Sequence, residues 1–169
     1  MVDLASCDSE DMFLKVETAK HGSIKGESQD GKHMNEICVL EWSWGMDAKT
    51  DMSGVGASAK ATINQLNIVK GVDSASTGLM SALRSNDLIK KAILTVRKAG
   101  KSQHEYFKIT IENGRITSLD VRTAVSNGKP GLMESLSFAF QKVSIDYVPQ
   151  SEDGQPRGSM TFQAETTAG

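Results

Sequence analysis

Apolar and polar side chains alternate most clearly between residues 36 and 45, in the sequence EICVLEWSWG. Successive side chains of a β-strand point to opposite faces, so one face of this stretch would carry two tryptophans and a leucine. The residues that share this face are Cys38, Leu40, Trp42 and Trp44. The Asp30-Gly31 pair just before the stretch is typical of a tight turn. The pattern therefore predicts a reversal followed by a long central strand, about residues 35–45, with its tryptophans in the core.

Shorter runs with the same period predict further strands. They cover residues 12–16, a short piece at Ile24, and residues 61–70, 92–98, 104–111, 115–124, 136–147 and 160–162. One helix is expected near residues 76–86, where Leu79, Met80 and Leu83 form a narrow apolar stripe. A serine or threonine among residues 74–77 can cap its first turn. Roughly eight or nine short strands with one helix favour an all-β fold, either a barrel or a sandwich.

Two features of the pattern predict changes in the direction of the chain. Asn113-Gly114 is the strongest hairpin signal and predicts a turn back into residues 115–124, whereas residues 126–131 (SNGKPG) are expected to form a loop. Between Phe140 and Val143 the apolar positions change from even to odd numbers, which predicts an added residue in the ladder near Gln141-Lys142. Such a bend allows a sheet to curl into a barrel.

The segment after the central strand is unusual for a compact domain. Residues 46–59 (MDAKTDMSGVGASA) contain few large apolar side chains, and residues 61–70 carry apolar side chains on both faces. A long connection without secondary structure usually has a function. Strands without charge, proline or cover at their edges either pack inside one chain or are completed by another copy. The pattern alone leaves both interpretations open.

Composition and charge narrow the class of protein only slightly. The chain of 169 residues has the size of one domain, its net charge is −2, and its 15 glycines and 3 prolines fit frequent turns. No apolar run approaches the roughly 18 residues of a membrane-spanning helix, and the N-terminus lacks the pattern of a secretory signal peptide. Cys7 lies in a polar N-terminal stretch and Cys38 on the tryptophan face, so we expect a buried thiol rather than a disulfide.

No motif in the sequence favours catalysis, a cofactor or a metal. Residues 54–59 fit G-x-G-x-x-A, but a polar loop precedes them and a strand follows, so nucleotide binding is not predicted. No serine sits in a G-x-S-x-G elbow, and His21, His33 and His104 lack metal-ligand spacing. The short basic runs Lys90-Lys91 and Arg97-Lys98 are more typical of a solvated surface than of a nucleic-acid site. We therefore expect no enzyme, no cofactor, no metal and no nucleic-acid partner.

Three blocks of sequence resemble the Hcp family, the haemolysin-coregulated proteins that form the tube of type VI secretion systems. The most specific block is residues 25–45, KGESQDGKHMNEICVLEWSWG, with GES-x-D, His33 and I-x-V-L-x-W-S-W-G. Residues 94–109, with LTVRKAG and EYFKI, and residues 134–150, with ESLSF and IDYVPQ, follow in the order of the family. The resemblance runs from about Asp11 to Phe162 and covers nearly the whole chain.

The resemblance implies an all-β fold, a β-barrel formed by two sheets with one short flanking helix, similar to phage tail-tube proteins. Residues 1–10 would be a flexible extension, residues 11–165 the barrel domain and residues 166–169 a tail. The implied structural core contains Leu40, Trp42, Trp44, Leu136 and Phe138. The long loop would contact the adjacent ring, through Met46, Asp47, Thr50 and Met52.

The resemblance also implies a function and partners. Homohexameric rings would stack into the inner tube, which contraction of a sheath expels with effectors in its lumen. The partners would be further copies of the chain, a VgrG-type spike, the contractile sheath and secreted effectors, with no membrane partner. The protein would reside in the bacterial cytoplasm before firing and be secreted without a signal peptide. Two other classes remain open: a phage or phage-like contractile tail-tube subunit, and a monomeric β-barrel that binds a ligand or acts as an enzyme.

Overall fold

The computed structural model describes residues 11–49, 60–98, 103–126, 128–150, 153 and 157–166. Strands dominate these residues, and a single short helix accompanies them. The elements are β1 (Met12–Thr18), β2 (Gly22–Ile24), β3 (Ile37–Cys38), β4 (Glu41–Ser43), β5 (Met46–Lys49), β6 (Lys60–Ile63), β7 (Leu66–Gly71), α1 (Ser76–Arg84), β8 (Ile89–Arg97), β9 (Glu105–Ser126), β10 (Lys129–Tyr147) and β11 (Met160–Glu165).

The main sheet has nine antiparallel strands, of which β2-β1-β8-β9-β10-β7-β4 form a continuous path. Strand β3 pairs with β1, and β11 pairs with β10 beyond the stretch that β7 covers. Strands β5 and β6 form a separate sheet of two strands. The predicted all-β class, with two sheets and one short helix, is therefore confirmed. The main sheet is not closed into a barrel, because the described strands at the two ends of its path, β2 and β4, do not pair with each other.

One apolar cluster forms the core between the main sheet and α1. Helix α1 lies within the predicted range and buries Leu79 and Ala82, whereas Met80 remains 37% exposed. The residue at its N-cap is Ala75, so the predicted serine or threonine cap is absent, and the Ala75 amide donates to the Asp73 carboxylate at 3.0 Å. In the described residues no helix has the length and apolar character needed to cross a membrane.

Strands β9 and β10 bend at the same place. Buried residues along β9 change from Ile109 and Ile111 to Gly114 and Ile116, so their parity changes at Asn113. Along β10 the predicted change of parity between even and odd positions is confirmed by the burial pattern. Since both strands change together, the side chains of both continue to fill one core across the bend.

The pairing of β9 with β10 explains this bend without an added residue. Phe140 pairs with Gly114 and Lys142 with Glu112, so the register is unbroken at the place where a bulge was predicted. The register shift lies instead next to Ser137. The predicted bulge near Gln141-Lys142 is therefore wrong, although the change of face that suggested it is real.

The hairpin predicted at Asn113-Gly114 is also wrong, because β9 continues through this pair without reversing its direction. Asn113 adopts a φ of 53°, and a Cβ at Gly114 would lie 2.6 Å from the carbonyl oxygen of Ala139. The pair thus allows a bend and a close approach of two backbones. The chain reverses between Ser126 and Lys129, which pair with each other, in the segment that was predicted to be a loop.

The predicted central strand is divided in two, because its backbone changes partners. The amide of Val39 donates to Met12 in β1, whereas the amide of the next residue, Leu40, donates to Val69 in β7. The predicted strand at residues 61–70 is likewise interrupted at Asn64-Gln65, where β6 of the small sheet ends before β7 begins. Each long run of alternating residues therefore pairs with two different strands in succession.

Cys38 lies in β3 and pairs with Phe13 of β1. Its side chain is buried, as predicted. It is disulfide-bonded, however, and the expectation of a free thiol is wrong. The other cysteine of the chain, Cys7, lies outside the described residues.

Candidate assembly surfaces

The β5–β6 hairpin is the first candidate surface. All four residues of β5 are exposed, and Met46 is 48% exposed. Asn64 fixes the base of the hairpin, since its amide donates to the carbonyl of Gly45 at 3.0 Å and its side chain donates to Asp47 Oδ2 at 2.8 Å. Of the residues expected in the ring-stacking loop, Met46 and Asp47 lie on this strand, and Thr50 and Met52 lie outside the described residues.

Several strands of the main sheet have an unpaired edge within the described part of the chain, and the longest of these edges lie in β9 and β11. Strand β8 accompanies β9 only as far as Gly114, so residues 115–126 of β9 pair with β10 alone. Strand β11 also pairs with β10 alone. An unpaired edge presents free backbone donors and acceptors to another strand, which makes both edges candidate sites of association.

The end of the β9–β10 hairpin carries an uncharged apolar surface, which we call the tip face. Its residues are Val121, Thr123, Val125, Pro130 and Leu132, which directly opposed pairing places on one side of the hairpin. Val125 is 73% exposed, Val121 46% and Leu132 36%. The exposed charged residues of this part of the hairpin lie on its opposite side, namely Asp120, Arg122 and Lys129, whereas Glu134, which pairs opposite Val121, is fully buried. The tip face therefore offers apolar contact area that no exposed charge interrupts.

A second uncharged surface lies where β10 ends and β11 pairs with it, and we call it the aromatic face. Its residues are Ile145, Tyr147, Met160 and Phe162. Met160 is 66% exposed, Tyr147 43% and Phe162 41%. Trp44 lies behind Phe162, with 6.5 Å between the ring centroids. As at the tip face, the charged residues of these strands lie on the opposite side, namely Lys142, Asp146 and Glu165.

The residues expected in the structural core differ in how far they are buried. Leu136 and Phe138 are almost fully buried in the middle of β10. Leu40, Trp42 and Trp44 are only half-buried. Trp42 stacks on Phe107 with 5.5 Å between centroids, so both tryptophans line the margin of the core beside the aromatic face.

Arg97 is a buried arginine that joins three segments of the chain. Its Nε donates to Asp11 Oδ1 at 2.8 Å, and its Nη2 donates to Asp30 Oδ2 at 2.6 Å. The guanidinium carbon also lies 4.8 Å from the ring centroid of Phe13. The expectation that Arg97 belongs to a solvated basic run is therefore wrong. The turn before β3 is tied to β8 and to the start of β1 through this one side chain.

His33 ties the same turn to β9. Its Nδ1 lies 2.7 Å from Glu36 Oε2 and its Nε2 lies 2.7 Å from Glu105 Oε1. The imidazole thus bridges two carboxylates, one in the turn and one at the start of β9. The ring also stacks on Phe13 at 4.4 Å between centroids. His33 is 7% exposed and acts as a structural residue that holds this turn.

A second buried charge cluster lies under the start of α1. Lys70 Nζ lies 2.9 Å from Asp73 Oδ1, 3.3 Å from Glu134 Oε2 and 3.1 Å from Ser76 Oγ. The side chains of Lys70 and Glu134 are 0% exposed, and that of Asp73 is 2% exposed. Glu134 Oε1 is buried without a hydrogen-bond partner among the described residues. One cation therefore balances two carboxylates and joins β7, β10 and the helix.

Two carboxylates with lowered pKa values, Asp30 and Asp87, predict how stability depends on pH. The hydrogen bond from Arg97 lowers the pKa of Asp30 from 3.8 to about 2. Burial acts to raise the pKa of Asp87. Hydrogen bonds from the His21 side chain and from the amides of Lys20 and His21 outweigh this effect, so the pKa of Asp87 is also about 2.

The stabilisation from these carboxylates is complete above the unfolded pKa near 3.8 and is lost as pH falls through the folded value. We expect a free energy of unfolding that is flat above about pH 5 and falls between about pH 4 and pH 2, by about 2 kcal/mol for each group. Urea unfolding across this pH range measures the free energy of unfolding, and Asp87→Asn should make its fall towards low pH less steep. An equally steep fall in that variant would contradict the assignment.

A groove of about 580 Å³ lies beside the bend of β9 and β10, at the end of α1. Arg115 is its one charged lining residue, and the others include Asn86, Asn113 and Phe140. In the described parts of the chain, no three histidine, cysteine or acidic side chains converge as metal ligands. The main sheet is open and has unpaired edges, and the β9–β10 hairpin extends beyond its neighbouring strands. The exposed features of the described chain are therefore surfaces for contact.

The family of this chain follows from comparison with known proteins. Residues 13–147 match the family described as the type VI secretion system effector Hcp. Protein hcp1 of Pseudomonas aeruginosa is 39% identical over 151 residues, which cover 88% of this chain and 89% of that protein. The chain belongs to the Hcp family of type VI secretion proteins, and the resemblance noted in the sequence is confirmed.

Solved structures agree with this assignment. A type VI secretion system effector from Yersinia pestis has a TM-score of 0.70 and 28% identity, with 92% of this chain and 100% of that chain covered. Hcp1 from Salmonella typhimurium has a TM-score of 0.70 and 27% identity, with 91% and 94% covered. The chain therefore shares its β-rich fold with solved members of a family of secreted type VI secretion proteins.

Proposed function

We propose that this protein is the tube subunit of a type VI secretion system, in which homohexameric rings stack into the inner tube. The observation that carries the proposal is the presence of two unpaired sheet edges, in β9 and β11, each beside an uncharged apolar face. A soluble monomer rarely leaves such edges and patches uncovered. Membership of the Hcp family supports the same conclusion.

The geometry of association follows from the chain having two different apolar ends. A contact between two unlike surfaces repeats from copy to copy and closes into a ring when its rotation closes. Stacking of rings then needs a separate contact, for which the exposed β5–β6 hairpin with Met46 and Asp47 is suited. The ring-stacking loop would be completed by Thr50 and Met52.

The remaining parts of the proposal concern partners and location. The tube assembles in the bacterial cytoplasm, carries a VgrG-type spike at its tip, and is expelled by contraction of the surrounding sheath. Secreted effectors travel in the lumen. The protein acts as a conduit and carrier, without catalysis.

The experiment that tests this proposal is light scattering coupled to size exclusion, with electron microscopy of the same fractions. We expect a mass about six times the 18.2 kDa of one chain, and ring-shaped particles with a central pore. A mass that stays near 18.2 kDa at all working concentrations would overturn the tube function.

A further inference from the structure

We propose that the tip face of one subunit packs on the aromatic face of the next copy, a contact that rests on the ring proposed above. The occupant of each face is thus a second copy of this chain. The contact is head-to-tail, with the β9–β10 hairpin as one partner and the β10–β11 corner as the other.

The first argument is the position of the two faces. Both belong to β10, the tip face at its start beside Pro130 and the aromatic face at its end beside Tyr147. These residues stand at opposite ends of a strand of 19 residues, so the two faces share no residue. One subunit can therefore use both faces at once, each with a different neighbour, as a closed ring requires.

The second argument is the chemistry of the two faces. The tip face is aliphatic, with Val121, Val125 and Leu132, whereas the aromatic face combines two aromatic rings with the flexible side chain of Met160. Methionine and aromatic side chains adapt well to branched aliphatic neighbours. Neither face presents an exposed charge, because the exposed charged residues beside the two faces lie on the other sides of the strands and Glu134, opposite Val121, is fully buried. Joining the faces therefore buries apolar area without stranding a charge.

The third argument is that each face lies beside an unpaired edge. Residues 115–126 of β9 flank the tip face, and β11 flanks the aromatic face. A tip-to-aromatic contact covers both apolar faces of every subunit with one repeated interface. A contact between two tip faces would leave every aromatic face exposed and would stop at a dimer.

The test uses one charged substitution on each face. Val125→Asp disables the tip face and Met160→Asp disables the aromatic face, and both side chains are largely exposed in the single chain, so folding should survive. We expect each variant alone to have the mass of one chain. An equimolar mixture should have twice that mass, because the intact tip face of one variant meets the intact aromatic face of the other, and no further contact can form.

Matched controls carry the same charge on the opposite side of the same strands. Arg122→Asp and Gln163→Asp are exposed, lie away from the two faces, and should leave the ring mass unchanged. Circular dichroism establishes folding, and Val125→Lys and Met160→Lys replace any aspartate variant that does not fold.

Each other result overturns the proposal in a recognisable way. If Val125→Asp or Met160→Asp still forms rings, the contact lies elsewhere and the tube function stands. If both are single subunits but their mixture does not double in mass, the two faces do not meet each other. If the unchanged protein is itself a single subunit, the proposed function fails together with this contact.

Discussion

Replacing Lys70 by methionine should lower the free energy of unfolding by about 3–5 kcal/mol, the range for breaking a buried ion pair by removing one partner. Lys70 is the cation that balances Asp73 and Glu134, and the side chains of all three are almost completely buried. Methionine fills similar volume, so the loss reports the uncompensated carboxylates and not a cavity. Denaturant unfolding at fixed protein concentration, near neutral pH, measures the change.

The pair variant Lys70→Met with Glu134→Leu separates this cause from a loss of packing. Removing both charges leaves Asp73, which retains its bond to the Ala75 amide, and should recover part of the stability. Lys91→Met is the matched control, because Lys91 pairs with Glu112 at 3.6 Å on the exposed surface and should cost less than about 1 kcal/mol. Equal losses for Lys70→Met and Lys91→Met would refute the role assigned to the buried cluster.

Replacing Arg97 by methionine should lower the free energy of unfolding by about 3 kcal/mol, near the lower end of the same range. The carboxylates of Asp11 and Asp30 would lose their common donor, but their side chains are 20% and 17% exposed and can regain some hydration. The loss of the hydrogen bond to Asp30 should also flatten the acid-induced fall in stability, because the folded pKa of Asp30 would return towards its unfolded value near 3.8 and its protonation would no longer favour unfolding.

Arg97→Lys tests whether the fork of the guanidinium matters in addition to its charge. Arg97 uses Nε and Nη2 for two different carboxylates, and a single ammonium group cannot reproduce that geometry. We expect the lysine variant to be clearly less stable than the natural protein in the same unfolding measurement. A lysine variant of unchanged stability would mean that charge alone holds the three segments together.

Local sequence signals predicted the strands well where one strand has one neighbour on each side. The alternation at residues 12–16 is found in β1, and in β10 Phe138, Phe140 and Val143 are buried as predicted, whereas Tyr147 is exposed. The signals were misleading where distant pairing decides the outcome. Asn113-Gly114 and Asn127-Gly128 are the same dipeptide, but the first is held between β8 and β10 in a continuous ladder. Only the extent of that ladder distinguishes a bend from a turn.

The candidate surfaces depend on where neighbouring strands stop, which local patterning does not record. Val125 and Leu132 look like core residues in the sequence, and they are exposed because the tip of the hairpin extends beyond β7 and β8. Arg97 stands next to the exposed Lys98, and its burial follows from Asp11 and Asp30, which are far away along the chain. A buried arginine could have been suspected from the apolar residues that precede it in β8.

The shared bend ties the lengths of β9 and β10 to each other. In both strands the side that faces the core changes at the same position of the ladder. A residue deleted from β9 alone, between Gly114 and Val121, would therefore rotate Val121 and Val125 to the charged side. A matching deletion in β10 would restore the agreement. We therefore expect that relatives with a longer or shorter arm have changed both strands together, or carry a further register shift like the one next to Ser137.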